Sequence, residues 1–181
     1  MSLNRENSAL LVVDIQGKLA ETVEEATSLH ANWLKMIRVA RLFELPILVL
    51  EQYPEGLGQT ITSLKQELGE SPVFAKRTFS GYQNAEFKRA LKTLNVKHLL
   101  VMGIEAHVCV FQTAQDILEN ETLSLHLLAD AVSSRQAIDR TLAIQQLDKA
   151  GAIITTVERT AFELMKDSQD ELFKAFLRIV K

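Results

Sequence analysis

Three side chains with complementary chemistry follow three separate apolar segments of this 181-residue chain. Asp14 ends the first segment, Lys76 ends another, and Cys109 comes just after a further one. A carboxylate can remove the proton of a thiol, an ammonium can hold the negative charge, and the thiolate can then attack a carbonyl carbon. The three residues therefore predict a site for nucleophilic catalysis, provided that the fold brings them together.

Cys109 is the only cysteine, and it lies where an apolar strand is predicted to give way to a helix. The unpaired N–H groups and partial positive charge of a helix N-terminus favour the thiolate form. A lone cysteine is also often a small buried apolar residue, Asp14 could be a turn residue, and Lys76 could be a solvated lysine. The coincidence of all three at strand ends favours the catalytic interpretation.

Alternating apolar runs and amphipathic stretches are the elements that must position these side chains. Continuous apolar runs predict six strands, which are expected near residues 9–14, 47–50, 72–76, 96–103, 122–129 and 151–157. Amphipathic spacing predicts helices near residues 28–43, 60–68, 84–94, 110–118, 134–150 and 168–180. Ser133 and Gln136 fit a capping box at the start of the fifth helix, and residues 51–57 are expected to form a loop.

Strand–helix alternation of this kind predicts an α/β fold, a three-layer α/β/α sandwich around a mainly parallel six-stranded sheet. Reactive groups in such sheets gather at the carboxyl ends of the strands, where Asp14, Lys76 and Cys109 are placed. Since no linker, repeat or low-complexity tract interrupts the pattern, we expect residues 1–181 to form a single domain.

The composition narrows the classes of partner. A formal net charge of −3 argues against a nucleic-acid or anionic-membrane surface, so a small-molecule substrate is expected. No apolar segment approaches the ~20 residues that cross a bilayer. The N-terminal residues lack the apolar core of a signal peptide, so we expect a cytoplasmic protein.

Several motifs together carry a family resemblance. Residues 11–16 (LVVDIQ), 74–80 (FAKRTFS), 103–110 (GIEAHVCV) and 129–134 (ADAVSS) resemble the isochorismatase-like cysteine hydrolases, in the expected order over about residues 8–157. Residues 51–58 and 103–106 look most similar to the isochorismatase domain-containing subgroup.

The resemblance assigns roles to residues. It implies that Asp14 is the base, Lys76 its charge partner and Cys109 the nucleophile. It also implies a cis peptide between Ile104 and Glu105, which would turn the Glu105 N–H towards the oxyanion together with the Cys109 N–H. The resemblance further implies a homo-oligomer.

The substrate pocket and the absence of a cofactor are further expectations. Residues 51–58 lack the histidines with which nicotinamidases bind a metal, and the four histidines are scattered, so no metal or other cofactor is expected. Ala106 stands where many relatives carry threonine, which puts one usual polar contact in doubt. A Glu105 carboxylate near the nucleophile would disfavour anionic substrates. The residues expected to line the pocket are Gln16, Tyr53, Phe79, Tyr82 and Ala106.

Three functions remain open on the sequence alone. The first is hydrolysis of an amide-like C–N bond through a thioester on Cys109. The second is hydrolysis of an isochorismate-like vinyl ether, which would use Asp14 without the cysteine. The third is a catalytically silent binding protein, because a fold does not fix a function.

Overall fold

A buried six-stranded sheet forms the centre of the computed structural model, which describes residues 3–181. The strands are β1 (Ser8–Val13), β2 (Ile47–Gln52), β3 (Val73–Lys76), β4 (His98–Ile104), β5 (Ser124–Ser133) and β6 (Ile153–Thr155). They are ordered β3-β2-β1-β4-β5-β6, and each neighbouring pair is parallel. The expected α/β sandwich is confirmed, with the strand order of a doubly wound sheet.

Helices cover both faces of this sheet. They are α1 (Leu19–Thr22), α2 (Ala26–Leu42), α3 (Pro54–Leu57), α4 (Thr62–Leu68), α5 (Ala85–Leu94), α6 (Phe111–Asn120), α7 (Ala137–Lys149), α8 (Val157–Met165) and α9 (Phe173–Val180). One apolar core includes Trp33 of α2 and Phe176 of α9, and the other includes Phe87 of α5 and Ile117 of α6. Because each strand of the centre is covered twice, β1 is buried along its whole length, which explains its continuous apolar run.

Three sequence predictions about these elements are wrong. Ser133 does not cap a helix, because it is the last residue of β5 and its hydroxyl donates to the carbonyl of Glu24. The helix begins at Ala137, after Gln136, with no side-chain cap. Residues 54–57, expected to lie in a loop, form the short helix α3.

Helix α8 was not predicted from the sequence. Its apolar side chains recur at helical spacing, and Thr156 accepts a hydrogen bond from the Arg159 N–H at its start. The signal was therefore present, but the sixth strand was expected to extend across this start to residue 157. That strand ends at Thr155.

Irregular backbone is concentrated where β1 and β4 end. Asp14 has a φ of 51°, in the left-handed region, and Gly103 has a φ of 141°. A Cβ atom on Gly103 would lie 2.1 Å from the carbonyl oxygen of Val13, so only glycine fits beside β1 here. The chain then turns sharply out of β4 towards Cys109. Within residues 3–181, no helix has the length and apolar character needed to span a bilayer.

Candidate active site

Asp14 and Lys76 form a buried ion pair at the carboxyl edge of the sheet. The Lys76 Nζ lies 2.7 Å from Asp14 Oδ2, and each side chain is only 1% exposed. The same ammonium donates to the Gln52 side-chain oxygen at 2.6 Å and to the carbonyl oxygens of Thr78 (3.3 Å) and Phe79 (3.1 Å). Strand β1 thus supplies the carboxylate, β3 supplies the ammonium, and the end of β2 lies between them.

The Asp14 carboxylate keeps one oxygen outside this ion pair. In the described part of the chain, its Oδ1 has no hydrogen-bond partner of standard geometry, although the Cys109 thiol interacts with the same carboxylate. Burial raises the pKa of Asp14 above its usual range, against the opposing effect of the Lys76 charge. A carboxylate with a raised pKa is a better proton acceptor than an ordinary surface aspartate.

Cys109 lies in a π-helical turn, Ala106–Val110, that connects β4 to α6. Its side chain is buried, with 7% of the residue exposed. Burial raises the pKa of the Cys109 thiol to about 12, and the Asp14 charge adds to the increase while Lys76 opposes it. Desolvation and the neighbouring carboxylate therefore outweigh the helix N-terminus, which on its own favours the thiolate.

The turn before Cys109 contains the expected cis peptide, between Ile104 and Glu105. The Glu105 side chain accepts hydrogen bonds from the Arg135 Nε at 2.9 Å and from the Arg135 backbone N–H at 3.3 Å. Its charge is thus paired with a cation. We expected the Glu105 carboxylate to disfavour anionic substrates, but its charge is balanced by Arg135. The Arg135 side chain is 62% exposed.

The predicted pocket residues separate into different environments. Gln16 is buried, and its side-chain amide bonds the backbone of Gln52 (3.0 and 2.6 Å) and the carbonyl of Gly58 (2.5 Å), so it holds a loop in place. Tyr82 lies in the core with Phe87, and its hydroxyl donates to Glu121. These bonds correct the substrate-contact expectation for Gln16 and Tyr82.

The remaining predicted pocket residues lie nearer the surface or the nucleophile. Tyr53 is exposed, with the Arg77 guanidinium stacked 3.6 Å from the centre of its ring. Ala106 is buried within the turn that carries Cys109. Phe79 is 55% exposed and lines a cleft between the segment after β3 and α6. Of the three aromatic residues, only Phe79 borders that cleft.

Two polar residues of the site were missed at the sequence level. Gln52 follows an apolar strand at the same sheet edge as Asp14 and Lys76, so the argument that selected those two would also have found it. Arg135 had no such signal, because its contact with Glu105 depends on how the β5–α7 connection folds back.

The histidines are less scattered than the sequence suggested. Parallel pairing of β4 and β5 brings His98 and His126 together, with the His98 Nδ1 2.9 Å from the His126 Nε2. Among residues 3–181, no group of three or more histidine, cysteine, aspartate or glutamate side chains is arranged to hold a metal ion.

The chain matches a known family over most of its length. Residues 8–159 match the family model for the isochorismatase domain. The chain belongs to the isochorismatase family. The subgroup expected from the sequence is supported by isochorismatase domain-containing protein 2A of Mus musculus, which is 34% identical over 176 residues, covering 97% of this chain and 84% of the relative. Another curated relative is isochorismatase family protein 1B of Dictyostelium discoideum. It is 37% identical over 180 residues, covering 97% of this chain and 87% of the relative.

Solved structures of other family members share the fold. MAR1 ribonuclease from Caenorhabditis elegans has a TM-score of 0.93 and 39% identity, covering 99% of this chain and 92% of that one. YcaC from Pseudomonas aeruginosa, solved with hexane-2,5-diol and covalent acrylamide, has a TM-score of 0.92 and 27% identity (98% and 91% covered). The YcaC product of Escherichia coli is described as an octameric hydrolase of unknown specificity. It has a TM-score of 0.92 and 27% identity, covering 99% of this chain and 89% of that one.

Proposed function

We propose that this isochorismatase-family chain is a cysteine hydrolase that cleaves an amide-like C–N bond of a small molecule. The observation that carries the proposal is the Asp14–Lys76 ion pair, 2.7 Å long and 1% exposed, in electrostatic contact with the only thiol of the chain. A buried charge pair is costly to maintain, and a structural role alone would be served as well by apolar side chains.

In the proposed reaction, Asp14 takes the thiol proton as Cys109 Sγ attacks the carbonyl carbon. The carbonyl π electrons move to oxygen, and the N–H groups of Glu105 and Cys109 are the proposed donors to this oxyanion. The C–N bond then breaks, and the proton on Asp14 passes to the leaving nitrogen. Water attacks the resulting thioester, with Asp14 again as base, and releases the acid and the thiol. Lys76 stabilises the Asp14 charge throughout.

A protonated resting thiol fits this mechanism. With a pKa of about 12, Cys109 depends on proton transfer to Asp14 for its reaction with an electrophilic carbon. The covalent acrylamide in the YcaC structure from P. aeruginosa supports a reactive nucleophile on this fold, because acrylamide alkylates nucleophiles through its C=C bond. The octameric YcaC from E. coli supports a homo-oligomer for this chain as well.

The ribonuclease name of the C. elegans structure raises a competing reaction. RNA binding requires cations that neutralise phosphates. The net charge of this chain is −3, and the site's ammonium is buried against Asp14. These observations favour a neutral small molecule over RNA, which an RNA-cleavage assay with the wild type and Cys109→Ala would check.

Acrylamide alkylation of the single cysteine tests the proposal without knowledge of the substrate. Without help from Asp14, a thiol with a pKa of about 12 would react about a hundredfold more slowly near neutral pH than an ordinary cysteine. We expect the native chain to react at least as fast as the same chain unfolded in urea. A native rate slower by about that factor would overturn the cysteine mechanism.

Turnover then separates the two hydrolases. Ammonia release from a panel of small primary amides and N-carbamoyl compounds should be lost in Cys109→Ala. Conversion of isochorismate that persists in Cys109→Ala would instead support the vinyl-ether reaction, which needs only Asp14.

A further inference from the structure

A cleft opens between the segment after β3 and the first turns of α6. Its volume is about 510 Å³, enough for a small organic molecule. The residues that line it are Thr78, Phe79, Ser80, Gln83, Gln112, Gln115 and Asp116.

Two connections join this cleft to the ion pair and the thiol. The carbonyl oxygen of Phe79 accepts a hydrogen bond from Lys76 at 3.1 Å, so the backbone that carries the aromatic ring is fixed to the site. Gln112 lies three residues after Cys109, one turn further along the same helical segment. The cleft is therefore connected to the ion pair through the Phe79 backbone and to Cys109 through one helical turn.

The lining has a definite chemistry. Phe79 offers an aromatic ring that is 55% exposed, and the glutamines offer amide donors and acceptors. Asp116 is held in place because its Oδ2 accepts from the Ser80 hydroxyl at 2.6 Å and from the Gln83 amide at 2.9 Å. In the described structure, none of the residues lining this cleft is a lysine, arginine or histidine.

The cations near the site are already paired. The Arg77 guanidinium stacks on Tyr53 and lies 3.6 Å from Glu55, and Arg135 bonds Glu105. An anionic group in the cleft would face the Asp116 charge without a counter-charge from the lining. A neutral N–H group, in contrast, would find carboxylate and amide oxygens.

We propose that this cleft is a subsite for neutral amides that carry a planar aromatic group next to the amide N–H. This inference rests on the proposed amide hydrolysis, for which it names the class of substrate. Phe79 stacks on the planar group, Asp116 and the glutamines bind its polar edge, and the amide carbonyl lies towards Cys109. A dicarboxylate such as isochorismate is disfavoured by the same lining.

Binding of two aryl amide probes tests this inference, and it is measured by NMR before any turnover. Acetanilide is a neutral aryl amide, and 4-acetamidobenzoate adds a carboxylate to the same ring. NMR titration of the full chain should show acetanilide binding at least about tenfold more tightly than 4-acetamidobenzoate. Acetanilide should also slow the alkylation of Cys109 by acrylamide, because it lies beside the thiol.

Matched variants locate the binding. Phe79→Ala should weaken acetanilide binding about fivefold, the size expected of one aromatic contact. Phe162→Ala removes another exposed phenylalanine, 45% accessible, from α8 and should leave binding unchanged. Gln112→Lys should improve binding of 4-acetamidobenzoate, whereas Gln66→Lys on α4 makes the same charge change away from the cleft and should not.

The inference is overturned if acetanilide does not bind, if Phe79→Ala binds it as tightly as Phe162→Ala does, or if the anionic probe binds equally well. These outcomes do not depend on whether the proposed hydrolysis takes place. If acetanilide binds through Phe79 while the native thiol fails to react with acrylamide, the subsite stands and the cysteine mechanism fails.

Discussion

The two ends of the same parallel sheet each bury a pair of titratable side chains, and the pairs behave differently. At the carboxyl edge, Asp14 and Lys76 are charged partners 2.7 Å apart. At the amino end, the His98 Nδ1 and the His126 Nε2 lie 2.9 Å apart, within hydrogen-bond distance. Burial lowers the pKa of His126 to about 4, and the neighbouring His98 and Arg159 add to the decrease while Glu163 opposes it.

The backbone around the two pairs also differs. The histidines lie on regular strands in unbroken parallel register, where Ser8 pairs with His98 and His98 with Ser124. Asp14 and Gly103 instead have positive φ, and the register of β4 with β5 shifts near Gly103. The histidine pair therefore lies within regular strands, whereas the charged pair lies where the backbone leaves regular strand geometry.

The largest expected effect comes from breaking the charged pair. Lys76→Met leaves the buried Asp14 carboxylate without its counter-charge, so the free energy of unfolding near neutral pH should fall by about 3–5 kcal/mol in urea denaturation. Lys92→Met breaks an exposed pair with Glu121, whose atoms are 3.7 Å apart, and should cost less than about 1 kcal/mol. Equal costs for the two variants would contradict a special role for the carboxyl edge.

The shaped backbone predicts the next effect. Gly103→Ala places a methyl group 2.1 Å from the Val13 carbonyl oxygen and should destabilise the chain by about 3 kcal/mol. Gly151→Ala also has a positive φ, of 101°, but its Cβ meets nothing within 4 Å, so it should cost only about 1–2 kcal/mol of strain. Thermal unfolding of both variants separates the clash from the strain.

The amino end should respond to pH. The folded state lowers the pKa of His126 from 6.5 to about 4, so it binds fewer protons than the unfolded chain between these values. This contribution to stability is complete above pH 6.5 and is lost as the pH falls towards 4, to the extent of about 2 kcal/mol. His126→Gln keeps a hydrogen-bonding group without titration, and its urea midpoint should fall less steeply over this range. The same pH dependence of the urea midpoint in His126→Gln and the wild type would argue against the lowered pKa of His126.

The smallest effect is expected at the exposed ion pair above the nucleophile turn. Arg135→Ala removes the Arg135 side chain but keeps its backbone N–H to Glu105, so stability should fall by only about 0.5–1 kcal/mol in thermal unfolding. A loss as large as that of Lys76→Met would mean that the Glu105 pair, and not Asp14, is the energetic centre of this edge.

Sequence reasoning worked where periodicity and strand ends decide the outcome. The buried apolar runs predicted the strands of the sheet. The rule that reactive groups follow strands predicted Asp14 and Lys76, because the carboxyl ends of parallel strands lie at one edge of the sheet. It failed where distant segments meet. The Glu105–Arg135 contact, the pairing of His98 with His126, and the burial of Tyr82 against the helical layer depend on register and packing that no local spacing encodes.

The pKa of the Cys109 thiol is another property that the sequence alone did not predict correctly. A helix N-terminus predicts a lowered pKa for Cys109, but its raised pKa results from burial and from a carboxylate 95 positions earlier in the chain. The balance between these effects can be judged only when the depth of the site and the position of Asp14 are known. The raised pKa makes the proposed proton transfer to Asp14 more important than the helix N-terminus for activating Cys109.

The role of Asp14 as that base is tested most directly by the alkylation rate of Cys109 in Asp14→Asn. The Asp14 charge raises the thiol pKa, so its removal should increase the thiolate fraction and speed alkylation if the carboxylate acts only as a charge. If Asp14 accepts the proton, the loss of the base should slow acrylamide alkylation near neutral pH by at least about tenfold. A slower reaction is the result we predict, and an equal or faster one would contradict the mechanism.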